Sequence, residues 1–250
     1  MSLMHLKFIG IIGLALMLTA CGSRPDDAVS TRSPDRSQGA SQQALAKEAD
    51  VANTHSDVFG DFPHPKIDLD QSGVKEAQAI FAGGCFWCTE AVFEQLAGVS
   101  DVYSGYAGGS KETANYKRVC EGDTGHAEVI RITYDPSKIS YGQLMRVFFA
   151  THDPTQLNRQ GNDVGTQYRS AIFYQSEEEK KVAQAYIKQL EEAGLFRSRI
   201  VTTLEPLKEF FPAERYHQDY ARNNPLQPYI QFHALPNAAK VEQMFPELKQ

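Results

Sequence analysis

Four cysteines stand at positions 21, 85, 88 and 120 of this 250-residue chain. They are too few and too unevenly spaced for a disulfide scaffold, and their sparseness is more consistent with specific thiol chemistry. The stretch that concentrates it is Gly83-Gly84-Cys85-Phe86-Trp87-Cys88-Thr89-Glu90. An apolar run, Ala79-Ile80-Phe81-Ala82, precedes it, and Ala91-Val92-Phe93-Glu94-Gln95-Leu96 continues it with helical period. Strand, glycines, cysteine and helix in that order place Cys85 at or just before a helix N-terminus. Unpaired backbone N–H groups and the helix dipole favour negative charge there. The thiolate is the nucleophilic form of cysteine, so the context predicts an activated Cys85 thiol. The two glycines leave the sulfur open to a second molecule. A free cysteine is often only a small buried apolar residue, and it is the surrounding pattern that argues for chemistry here.

The elements that must position this sulfur follow from periodicity. A strand is expected at 77–82, a helix at 87–97, and a second strand from Val99 running into the glycine-rich turn at Gly105, Gly108 and Gly109. Residues 126–134 alternate with period two, as a half-buried strand does, and carry Glu128. Asp135-Pro136 ends that strand, and 139–150 is amphipathic and helical. A further strand is expected at 167–175. Ser176 then caps a long helix with an acidic first turn that reaches about Ala193 and ends at Gly194. A last strand is placed at 200–204, followed by a loop-rich C-terminal part with a short helix near 212–222. Strands alternating with helices indicate an α/β (α+β) fold: a two-layer sandwich of a mixed β-sheet with helices around a ferredoxin-like core.

Composition is that of a globular protein, 42% hydrophobic and 22% charged. The formal net charge of −6 gives no reason to expect nucleic acid as a partner. Residues 1–20 read as a signal peptide, with Lys7 ahead of the apolar run 8–18, too short to span a bilayer comfortably. The sequence Leu18-Thr19-Ala20-Cys21-Gly22-Ser23 resembles a bacterial lipobox, which makes Cys21 the expected lipidation site. Gly22 in place of aspartate points to the outer membrane, with the domain facing the oxidising periplasm. Residues 21–73 are rich in Ser, Ala, Asp, Gln, Arg and Pro and poor in aromatics, and are expected to be a disordered tether. The catalytic domain is placed at 74–235 and a C-terminal tail at 236–250.

At Gly84-Cys85-Phe86-Trp87 the domain resembles the peptide methionine sulfoxide reductase A family. Further matching blocks are the run 116–128 containing Tyr116, Cys120, His126 and Glu128; His152-Asp153-Pro154; and the run 161–170 containing Asp163 and Tyr168. The resemblance extends over about 76–230. It implies thiol-dependent reduction of methionine-S-sulfoxide, free or in proteins, through a sulfenic acid on Cys85. Glu128 is implied as the proton donor to the departing oxygen. A carboxylic acid stays neutral at pH 7 only where burial disfavours its charge, and an otherwise apolar strand is compatible with that. Tyr116 and Tyr168 are implied as hydroxyl donors to the same oxygen, Asp163 as an orienting group, and Phe86 and Trp87 as the pocket for the S-methyl group. Glu90 and His126 are given structural roles. No metal or other cofactor is implied. The reductant is an external thiol, thioredoxin being the family's usual donor and a thioredoxin-like domain its periplasmic replacement.

Many family members carry resolving cysteines near the C-terminus. This chain has none after Cys120, and Ile230 stands roughly where one would be. Cys88, three residues from Cys85, is the favoured resolving thiol, with Cys120 and an external thiol as alternatives. Three rival readings remain at this stage. Cys-x-x-Cys after a strand fits a dithiol oxidoreductase. Cys85, Cys88, Cys120 and His126 form a weak zinc pattern. A non-enzymatic envelope lipoprotein that binds a partner would use the same anchor and tether.

Overall fold

The computed structural model describes residues 62–250. The expected signal peptide, Cys21 and the tether before residue 62 lie outside the described residues. Six strands form one mixed, curled sheet in the order β7-β6-β1-β3-β2-β8. They are β1 (Ala77–Gly83), β2 (Val99–Ala107), β3 (Ala127–Tyr134), β6 (Ser170–Tyr174), β7 (Thr203–Pro206) and β8 (Phe210–Pro212), and a separate hairpin pairs β4 (Arg159–Gln160) with β5 (Asp163–Val164). All pairings in the sheet are antiparallel except β6 with β7. Helix α1 (Phe86–Phe93) links β1 to β2, and α2 (Tyr141–Thr151) follows β3. Helix α3 (Glu177–Glu192) leads from β6 to β7, and α4 (Leu235–Met244) lies near the C-terminus.

Strand alternation decides which side chains meet. Phe81 of β1, Ile130, Ile132 and Tyr134 of β3 and Ile172 of β6 face the helices and join the main core. Phe81 packs its ring 5.0 Å from Phe148 of α2 and 6.0 Å from Phe93 of α1. The intervening residues Ile80, Ala82, Ala127, Val129, Ala171 and Phe173 form a smaller cluster on the opposite face, covered by Leu207 and Phe210. Glu128 is two residues before Ile130, so its side chain shares the helix face.

Helix starts follow the sequence. Ser176 accepts the Glu179 N–H at the head of α3, and Ser140 with Gln143 closes a capping box on α2. Asp68 reinforces that cap by accepting the Gly142 N–H at 2.9 Å and the Ser140 hydroxyl at 2.5 Å.

Several expectations shift. Helix α1 ends at Phe93 rather than at 97, because the chain's last residues claim the next backbone groups: Ala97 N–H donates to Leu248 O and Gln250 N–H to Gln95 O. The strand expected at 167–175 opens as a 3-10 turn, Thr166–Tyr168, before β6 begins. The strand expected at 200–204 sits a few residues later, where it can pair with β6. The packed unit also exceeds the expected limits of 74–235 at both ends. Phe62 is buried and hands its carbonyl to Arg146. Within 236–250, expected as a tail, α4 places Val241 and Phe245 in the main core.

Candidate active site

Cys85 is the residue that caps α1, with extended backbone and a side chain 7% exposed. The expected thiol activation is not what the surroundings produce. Burial pushes the Cys85 thiol well above its ordinary value, helped by the neighbouring Cys88 thiol and Glu128 carboxyl, while the Tyr229 hydroxyl acts the other way. Beside that burial, the amide next to the sulfur is already engaged. Phe86 N–H donates to Glu128 at 3.0 Å, and the Cys88 and Thr89 N–H groups point to the Cys85 carbonyl at 3.1 and 3.3 Å.

Glu128 therefore caps α1 from across the sheet. It is 2% exposed, and burial pushes its carboxyl up to about 8; the Phe86 N–H opposes this and the charge of Asp163 adds to it. It is a neutral acid at pH 7, held beside the cysteine. Tyr168, on the 3-10 turn before β6, lies within electrostatic range of Glu128, Cys85 and Asp163. Tyr116 begins the one-turn helix Tyr116–Val119 and lies within range of Cys120, Glu128 and Cys85. Burial raises both phenols above their ordinary value, so both stay un-ionised donors. The two tyrosines, Glu128 and Cys85 are thus brought to one place.

Asp163, on β5, accepts the Tyr229 hydroxyl at 2.5 Å, and Tyr229 lies 3.8 Å from the Cys88 sulfur. Cys85, Cys88, Asp163 and Tyr229 line a cavity of about 200 Å³ whose rim includes the exposed Phe232. Cys120 is exposed and separate from that cavity, bonded to Tyr116. Trp87 is stacked on Tyr220 with ring centroids 3.9 Å apart and donates its indole N–H to His217 at 3.2 Å. Phe86, by contrast, is buried in the core against Tyr106 and His217.

The residues expected in structural roles occupy them, one by a different route. His126 is fully buried, accepting the Gly109 N–H and meeting the Ser110 carbonyl, which fixes the turn after β2. Both of its ring nitrogens are engaged, so the zinc pattern is not assembled. Glu90 lies in the second turn of α1 rather than at its start and accepts the Ser104 hydroxyl at 3.1 Å.

Tyr229, His217, Glu214 and Tyr220 belong to this site and were not singled out from the sequence. For the three ring residues the one signal was the density of aromatic and histidine residues between Tyr216 and Tyr229 in a segment otherwise read as loop, and Glu214 had none.

Residues 77–249 match the family model described as peptide methionine sulfoxide reductase. The chain is 50% identical over 189 residues to the peptide methionine sulfoxide reductase MsrA 2 of Synechocystis, covering 74% of this chain and 88% of that protein. It is 55% identical over 171 residues to MsrA 2 of Mesorhizobium japonicum, covering 68% and 88%. Among solved structures, reduced Mxr1 from Saccharomyces cerevisiae aligns with a TM-score of 0.56 and 37% identity, covering 67% of this chain and 95% of that one. The span of the family model includes every element that carries Cys85, Glu128 and the two tyrosines. The chain therefore belongs to the peptide methionine sulfoxide reductase A family, the peptide-methionine (S)-S-oxide reductases.

Proposed function

We propose that Cys85 attacks the sulfur of a methionine-S-sulfoxide, free or in a protein, while Glu128 gives its proton to the sulfoxide oxygen. The observation that carries this reading is the contact of Glu128 with the Phe86 N–H at 3.0 Å, which holds a buried neutral acid against the residue next to Cys85. As the sulfur bond forms, the thiol's proton passes to the Glu128 carboxylate. The oxygen and one proton end on Cys85 as S–OH, the thioether leaves, and Glu128 is neutral again. Tyr116 and Tyr168 donate to the same oxygen, Asp163 steadies Tyr229, and Trp87 offers an aromatic face to the S-methyl group. Phe86 supports that wall from beneath. The test is turnover of separate S and R epimers of a methionine sulfoxide peptide with excess dithiothreitol. Turnover of the S epimer, abolished in Cys85→Ser and reduced about 10²–10⁴-fold in Glu128→Gln, is expected. Full activity in Glu128→Gln would remove the acid from the mechanism.

Cys88 then resolves the sulfenic acid, forming the Cys85–Cys88 disulfide and releasing water. The two thiols stand three residues apart on the wall of one cavity, and Cys85, as a cap outside the helix, is free to turn toward Cys88. Cys120 lies beyond Tyr116 and is the lesser candidate. One equivalent of sulfoxide should consume both the Cys85 and Cys88 thiols in the wild type and in Cys120→Ser, and should leave a trappable sulfenic acid in Cys88→Ser. A thioredoxin-like dithiol protein restores the thiols, reaching Cys88 through the cavity beside Phe232. The order β6-β1-β3-β2, with helices after β1 and β3, supports reading the core as ferredoxin-like. The lipobox at Cys21 supports an enzyme tethered to the outer membrane and repairing oxidised proteins in the periplasm. Retention of Cys21→Ala in the membrane fraction would count against that anchor.

A further inference from the structure

Trp87 is held from two directions. Tyr220 stacks on its face at 3.9 Å, and the His217 Nδ1 accepts its indole N–H at 3.2 Å. An indole N–H is only ever a donor, so Nδ1 must carry the lone pair and the single ring proton must sit on Nε2. His217 is 1% exposed, and its Nε2 has no hydrogen-bond partner. Glu214 faces it, with its Oε2 3.8 Å away, and the two Glu214 oxygens also accept the Tyr106 hydroxyl and the Tyr116 N–H, each at 2.9 Å. The rings of Phe86, Tyr116 and Tyr216 close round the imidazole, with centroids 5.0, 4.4 and 4.2 Å away. One carboxylate thus faces the Nε2 side of His217 and fixes the backbone of Tyr116, while the Nδ1 side fixes Trp87.

We infer that Glu214 and His217 form a positioning relay for the substrate pocket, in which neutral His217 locks Trp87 in place and its protonation releases the indole. Rings and one carboxylate face the imidazole from α1, from the Tyr116 helix and from its own loop, and Glu214 is the one charged group among them. Burial lowers the imidazole's proton affinity and the charge of Glu214 opposes this. Against burial, the bonds from Tyr116 and Tyr106 hold Glu214 itself below the usual carboxylate range, so it stays ionised. When a proton does bind, Nδ1 is the only site for it. The acceptor becomes a donor facing another donor, and the bond to Trp87 is lost. Trp87 meets the methyl group rather than the reacting atoms, so the release raises KM and leaves kcat nearly unchanged. This step rests on the reading of Trp87 as the methyl wall.

The chain has a single tryptophan, so its fluorescence reports this bond without any turnover. Wild-type emission titrated from about pH 4 to 8 should show one transition below the ordinary imidazole midpoint of about 6.5, with KM rising over the same range. His217→Leu, with no acceptor, should raise KM about tenfold at every pH. His217→Asn puts an amide oxygen near the place of Nδ1 and cannot titrate. It should recover most of the KM lost in the leucine variant and abolish both transitions. Flat wild-type emission, an asparagine variant that titrates like the wild type, or a leucine variant with normal KM each overturns the relay. Those results spare the roles of Cys85 and Glu128, whereas a wild type that titrates but reduces no sulfoxide overturns the catalytic reading instead.

Discussion

Cys85 and Glu128 lie together at the buried start of α1, and on the proposed mechanism the protons they hold there set the pH range of the chemistry. Glu128, raised to about 8, is protonated at neutral pH and loses its proton as the pH passes that value. The rate of sulfoxide reduction should therefore fall on the alkaline side, with a midpoint near the same value, and that limb should vanish in Glu128→Gln. Stability carries the same signature. The folded state binds this proton more tightly than the unfolded chain does. Between the ordinary carboxylate range and about 8 the native form holds more protons, so the free energy of unfolding decreases as the pH rises. Glu90, also buried and raised to about 8 by burial and the charge of Glu94, adds a second contribution of the same sign. Thermal unfolding should show wild-type Tm falling from pH 6 to pH 9, with a shallower fall in Glu128→Gln and in Glu90→Gln. A Tm that rises with pH over that range would contradict the assignment of neutral carboxyls at both positions.

At the scale of elements, the site is a helix start pressed against a sheet, and the turn between them has no spare room. Gly84 has φ +97°, and a Cβ there would lie 2.6 Å from the Gln160 Cβ. Gln160 in turn bonds both the N–H and the carbonyl of Asp153. Gly84→Ala should cost about 1–3 kcal/mol in stability and lower kcat, because relief requires moving either the β4–β5 hairpin or the Cys85 cap. Urea unfolding and single-turnover rates measure the two effects separately. This turn was legible in the sequence, as were β1, β3 and the Ser176-capped α3, because each rests on local period and cap chemistry. Glu128 was legible only through the family resemblance, since period alone favours an exposed strand glutamate at that position. The partners that arrive from afar were not legible. His217 reaches Trp87 across 130 residues, Tyr229 reaches Cys88 across 141, and Asp68 caps α2 across 72. Strand β8 has only three residues, too few to show a period, and is held by Phe210 lying over Gly105. The thiol environment misled for a related reason: sequence locates a helix N-terminus but not how deeply the packing of distant segments buries the sulfur beside it.

Across the whole molecule, one buried cation joins segments that the sequence assigned to a tether and a tail. Arg146 of α2 is 5% exposed; its Nε donates to the Phe62 carbonyl at 2.8 Å and its Nη1 to Glu247 at 3.3 Å. Its guanidinium also lies 4.7 Å from the centroid of the Phe245 ring. Tyr186 and Gln189 of α3 hold the same N-terminal strap, through the carbonyls of Pro63 and His64. None of these groups touches Cys85 or Glu128, so the brace and the chemistry should separate experimentally. Arg146→Ala leaves the Phe62 carbonyl without its donor and removes the cation over Phe245, and should cost about 1–3 kcal/mol, since Glu247 is exposed and keeps its solvation. Phe245→Ala, which empties a fully buried ring site, should cost more, about 3–5 kcal/mol. Because the two side chains are in contact, the double variant should cost less than the sum of the singles. Both single variants should keep the wild-type pH–rate profile below their unfolding temperature, since Glu128 and the first turn of α1 are untouched. A shifted alkaline limb in Arg146→Ala would mean that the strap and the C-terminal helix act on the site itself, through the packing of α4 against α1.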